Sequence, residues 1–120
     1  MKTLLTVLLG SSMALSFSAE AASCRDIGAA VVDQYVAVTR YKVETPEQIS
    51  AYNGLVESQV SACTEGKKMR LKGASPKDAG VAMTLAAAQA VDRGNSNGTP
   101  GLTAVAMTQT AFSYGYAFGE

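Results

Sequence analysis

The chain has no histidine and no tryptophan among its 120 residues. Without histidine it lacks the commonest general base, the commonest metal ligand and the usual switch titrating near neutrality. Two cysteines are too few for a four-cysteine zinc site. Net charge is missing as well: ten basic side chains cancel ten acidic ones, so no global field draws the chain to nucleic acid. No charged residue occurs between Arg93 and Glu120. There is no G-x-x-x-x-G-K phosphate loop, and the polar stretch Asn95-Ser96-Asn97-Gly98 lacks the carboxylates of a cation loop and reads as a turn. Serines such as Ser113 have no histidine to activate them. Asp26 and Asp33, seven residues apart on one side of a helix, read as solvated surface. No catalytic residue, metal or cofactor is therefore expected, and the chain is read as something other than an enzyme.

What is present begins with an export signal. Lys2 supplies a positive start, and Leu4, Leu5, Val7, Leu8, Leu9, Met13, Ala14, Leu15 and Phe17 form an interrupted apolar stretch. Ala19-Glu20-Ala21 then offers a small-residue cleavage site, which predicts removal of residues 1–21. The run falls short of the roughly 20 mainly apolar residues of a membrane span. Ala21-Ala22-Ser23-Cys24 also resembles a degraded lipidation site, which would consume Cys24. Residues 22–120 amount to a single domain, working in the periplasm or secreted.

Three prolines punctuate that domain, each after a hydroxyl residue: Thr45-Pro46, Ser75-Pro76 and Thr99-Pro100. The hydroxyl can accept an orphan N–H at a helix start, and proline has no N–H to lose there. Gln48 follows Thr45, and Asp78 follows Ser75, at capping-box distance. Behind these starts the apolar residues step by threes and fours. Ile49, Tyr52, Leu55, Val56, Val60 and Cys63 form one stripe, with Gly66 as its stop. Val81, Leu85, Ala88 and Val91 form another, ending at Gly94, and Leu102, Val105, Gln109, Phe112 and Tyr116 a third. The stretch from Cys24 to about Tyr41 is rich in β-branched residues but also carries a helical stripe through Ile27, Val31, Tyr35 and Val38. No partner strand is visible elsewhere, which favours helix.

The cysteines connect the first two helices. The midpoint between Cys24 and Cys63 lies between Val43 and Glu44, inside the turn, so two antiparallel helices bring the sulfurs to one end. An even pair in an oxidising compartment reads as a disulfide. The expectation is an all-α four-helix bundle of two antiparallel hairpins, the first (24–64) stapled by Cys24–Cys63. A basic loop (65–75) leads to the second hairpin (76–119). Small residues at four-residue steps, Ala82, Ala86, Ala90 and Gly94 on the third helix and Ala111, Gly115 and Gly119 on the fourth, predict that these two helices pack closely on each other.

Two surfaces stand out as sites. Tyr114 and Phe118 crowd a helix too apolar for a single core-facing stripe, which predicts an exposed partner surface there and makes the C-terminal helix a candidate homodimer contact. Lys67, Lys68, Arg70 and Lys72 form the one basic cluster and a candidate anion-binding loop. The function expected is protein–protein interaction, as an inhibitor, an immunity-type factor or a chaperone-like accessory. The alternative is a peripheral envelope protein binding anionic lipid or lipopolysaccharide through the basic loop.

Overall fold

The computed structural model describes residues 23–97 and 101–118, without the side chains of 93–97 and 102. The leader and the Thr99-Pro100 start lie outside the described residues, whereas Cys24, which the lipidation reading would consume, lies within them and is bonded to Cys63 instead. Four helices follow one another: α1 (Cys24–Thr39), α2 (Pro46–Leu71), α3 (Pro76–Asn97) and α4 (Gly101–Phe118). Among the described residues there is no strand.

The capping chemistry read from the sequence sets two of these starts. Thr45 Oγ1 accepts the Gln48 N–H at 3.2 Å while Gln48 Oε1 accepts the Thr45 N–H at 3.0 Å, a reciprocal box ahead of Pro46. Ser75 Oγ accepts the Asp78 N–H at 3.2 Å. Ser23 caps α1 through the Asp26 N–H at 3.2 Å. The helix read for the first segment is present, and it ends where Arg40 turns left-handed at φ 58°.

Both expected glycine stops are overturned. α2 runs past Gly66 to Leu71, and α3 runs past Gly94 to Asn97. The chain leaves α2 only at Lys72 and Gly73, the latter at φ 76°, a conformation that suits glycine. The expected basic loop 65–75 is thus mostly helix, and its connector shrinks to residues 72–75. Gly66 serves a different purpose: a Cβ there would fall on the Phe112 carbonyl and within 2.9 Å of the Tyr116 N–H nitrogen.

α4, last in the chain, is central in space and touches the other three helices. Ala104, Met107, Ala111, Phe112, Tyr114 and Gly115 are buried along it. The small-residue ridge of α4 is used, but mainly against α2 rather than α3. The α2 backbone at Cys63 sits directly over Gly115, and Gly66 sits over Phe112. Backbones this close explain why α4 presents a face rotated from the expected one, leaving Gln109 exposed.

The disulfide joins Cys24 at the start of α1 to Cys63 near the end of α2, with 5.4 Å between the Cα atoms. It lies in the main core with Ile27, Val31, Val32, Leu55, Val56 and Met107. Gly28 lets α1 approach α2: a Cβ there would stand 2.7 Å from Val60 Cγ2 and 2.9 Å from the Val60 nitrogen. Outside the core, Arg25 meets Glu57 at 2.5 and 3.2 Å, and the Tyr52 hydroxyl donates to Asp33 at 2.5 Å. At the opposite side, the Tyr116 hydroxyl donates to the Ala74 carbonyl at 2.7 Å, tying α4 to the α2–α3 connection.

Candidate interaction surface

α3 is held differently from the other helices. It rests on α4, touches α2 only marginally, and makes no contact with α1 among the described residues. The face it packs inward is made of small residues, with Ala79, Ala87 and Ala90 buried and Met83 half-buried. Its bulkiest branched side chains point the other way. Val81 is 58% exposed and Leu85 62% exposed, with Ala88 exposed on the same side. Of the apolar stripe read at Val81, Leu85, Ala88 and Val91, the first three form an exposed face that does not meet the core, while Val91 is half-buried toward the start of α4. The reason is geometric: α3 must seat against the aromatic surface of α4, and alanines permit the closer seating.

Two concavities flank this helix. Where α3 and α2 diverge, an open groove of about 420 Å³ runs between Ser61 and Glu65 on one wall and Ala82, Leu85 and Ala86 on the other, with Phe112 as its floor. Where α3 meets α4, a smaller apolar cleft of about 170 Å³ is lined by Pro76, Ala79, Met83, Phe112 and Tyr116. Ser113 donates to the Met83 sulfur at 3.6 Å beside it. Phe112 is buried and belongs to both walls, so the two concavities share one rigid aromatic base.

The partner surface expected at Tyr114 and Phe118 is corrected by this arrangement. Tyr114 is only 5% exposed. Its ring lies 5.8 Å from that of Phe118 at a tilt of 48°, and Phe118 is half-buried against the main core. Burial pushes the Tyr114 hydroxyl pKa above its ordinary value. Because α4 is the central helix, its aromatics point into the bundle, and a dimer contact through this helix loses the exposed tyrosine it was built on.

The basic cluster is also changed. Lys67, Lys68 and Arg70 belong to the last turns of α2 and not to a loop, with Lys67 and Arg70 three apart on one side of the helix and Lys68 on another. Lys68 pairs with Glu65 at 3.4 Å, and Lys72 is the C-cap residue, its N–H donating to the Lys68 carbonyl at 3.0 Å. Cations at this end meet the negative pole of the helix dipole, which accounts for their position without a ligand. Among the described residues no group of acidic or cysteine side chains could hold a metal ion.

Elsewhere the Arg25 guanidinium, by its hydrogen bond and then its charge, holds Glu57 below the usual carboxylate range and is itself raised in return. Tyr52 is pushed up to about 12, chiefly by its hydrogen bond to Asp33, then by burial and the Asp33 charge. These pairs fasten α1 to α2 and do not meet the α3 surface. Gln59 and Thr108, which no motif or periodicity singles out, are buried with Oε1 and Oγ1 lacking a hydrogen-bond partner among the described residues.

The disulfide suggests an oxidising compartment outside the cytoplasm. No helix among the described residues is long and apolar enough to cross a membrane. No protein family, curated protein or solved structure matches the chain, so its function is argued from its own residues.

Proposed function

We propose that this is an exported helical protein of the periplasm or extracellular space that acts by binding another protein, as an inhibitor, immunity-type factor or chaperone-like accessory. One observation carries the reading: α3 turns Val81 and Leu85 to the outside and keeps alanines for its own core. A helix with apolar residues on opposite faces is ordinarily covered on both. The groove between α2 and α3 extends the same surface and gives it relief. Ser61, Ala62, Ala82 and Ala86 are the short side chains of its walls, with Glu65, Leu85 and Gln89 the longer ones beside them.

Attachment to anionic lipid through Lys67, Lys68, Arg70 and Lys72 has less support. Their place at the C-terminal end of α2, beside the negative pole of the helix dipole, needs no ligand, and Lys68 is engaged by Glu65.

The test is a photo-activatable cross-linking residue placed at Leu85 in cells, with the same residue at exposed Gln109 as the control. A discrete protein adduct from position 85 and none from 109 is expected. Equal or absent cross-linking at the two positions would sink the reading.

A further inference from the structure

On the side that α3 packs inward, one side chain is long. Ala79, Ala87 and Ala90 are buried but short, and Val91 lies at the far end beside Gly101. Met83 stands in the middle of that row, half-buried, and lines the apolar cleft with Phe112 and Tyr116 of α4. We infer that Met83 is an oxidation site, and that conversion of its thioether to the sulfoxide releases α3 from α4. This holds whatever covers the outer face of α3.

The sulfur is within reach of a small oxidant. The cleft holds about 170 Å³, several times the roughly 30 Å³ that one water occupies in the liquid. Ser113 is exposed and donates its hydroxyl to Met83 Sδ at 3.6 Å, which places the sulfur at the mouth of the cleft. Met107, by contrast, is fully buried in the main core. A hydroperoxide supplies the oxygen. The sulfur lone pair attacks one peroxide oxygen, the O–O bond breaks and an S–O bond forms. The attacked oxygen passes its proton to the departing one, which leaves as water, so sulfur loses the two electrons that the peroxide gains.

The product carries a polar oxygen on what was a flexible apolar arm. Of the side chains lining the cleft, only those of Ser113 and Tyr116 can donate a hydrogen bond. The Tyr116 hydroxyl is already given to the Ala74 carbonyl at 2.7 Å. Against Ala79 and Phe112 the new oxygen would be desolvated without a donor, which is costly. The sulfoxide therefore settles outward, toward Ser113 and water, and leaves the middle of the inner row to alanine. Alanines bury little apolar surface, and α3 touches α2 only marginally, so nothing else holds the middle of the helix down. Cys24 and Cys63 are already joined and cannot reverse the change. Two thiols of an external reductant can, becoming a disulfide as the oxygen leaves as water.

Hydrogen peroxide added to the purified, disulfide-bonded protein, followed by peptide mapping and amide hydrogen exchange, tests this. Met83 should gain one oxygen at least about tenfold faster than Met107. Exchange across residues 79–92 should then quicken about tenfold, while residues 55–63 of α2 keep their protection. Met83→Leu, close in volume, should keep slow exchange in α3 under the same peroxide, with Met69 and Met107 still present. Met83→Gln, a polar arm of similar length, should exchange fast in α3 with no peroxide added. Met83 oxidised no faster than Met107, a sulfoxide formed with α3 exchange unchanged, or equal loosening in Met83→Leu would each overturn the inference. So would slow α3 exchange in Met83→Gln.

Discussion

The backbone carbonyl of Cys63 occupies the space in which a side chain at Gly115 would begin. The disulfide residue of α2 thereby rests on the bare backbone of α4, and the staple and the closest helix crossing share one residue. Alanine at Gly115 must push the helices apart, which is expected to cost roughly 2–4 kcal/mol, as overpacking against unyielding backbone does. Gly66→Ala should behave alike, because the Phe112 carbonyl is equally fixed. Gly54, also inside α2 but with nothing near its missing Cβ, is the control: Gly54→Ala should stabilise by about 0.5–1 kcal/mol. Urea denaturation of the three variants separates these outcomes.

Reduction should cost much of the protein's stability. Cys24 and Cys63 are 39 residues apart, and opening a loop of that size is worth about 4 kcal/mol by chain-entropy reasoning. Both cysteines are buried, so the reductant should act through unfolding and not on the native surface. Thermal melts with and without reductant should show a large drop in the midpoint. The reduction rate should rise in parallel with the unfolding rate as urea is added.

Thr108 should be improvable. Its hydroxyl is buried without a hydrogen-bond partner among the described residues, so Thr108→Val removes a desolvated polar atom at nearly constant shape. A gain of about 0.5–1.5 kcal/mol is expected. A loss measured in the same denaturation experiment would mean that the hydroxyl has a partner after all.

Alkaline titration should report the Tyr52–Asp33 pair. The folded pKa of Tyr52, pushed up to about 12 from an ordinary 10.0, means that folding favours the protonated phenol. The resulting stability is fully present below pH 10 and is lost as pH rises through 12. The Tyr52 ring is half-buried but its hydrogen bond to Asp33 is exposed to water, so the contribution is small. Ultraviolet titration of tyrosinate should show a late phase that disappears in Tyr52→Phe and moves to lower pH in Asp33→Asn.

The parts of this fold legible in the sequence are those decided locally. Thr45, Gln48 and Pro46 settle the start of α2 within a few residues, and Ser75 with Pro76 does the same for α3, because an N-cap satisfies its own neighbours' N–H groups. The disulfide was legible through symmetry, as Cys24 and Cys63 stand equally far from one turn. Gly66 was misread because a glycine that ends a helix and one that admits a neighbouring backbone look alike until the neighbour is placed. Periodicity found the Val81–Leu85 stripe but could not tell which way it faces. That choice was made by α4, whose aromatic surface accepts the alanine side of α3. Tyr114 failed for a related reason: apolar width suggested a surplus face, and a helix surrounded by three others has a use for all of it.

The order of the helices in the chain bears on how the protein is assembled. α1 and α2 are neighbours in sequence and can close their covalent staple as soon as residue 63 is present in an oxidising environment. α4, which supplies Met107, Ala111 and Phe112 to the interior, follows them in the chain. Until it is in place, the hairpin offers a vacant cradle at Cys63 and Gly66, shaped to receive a bare backbone. A chain broken off before Phe112 could be correctly oxidised and still have no completed interior. Its unfilled cradle would leave the hairpin open to proteolysis.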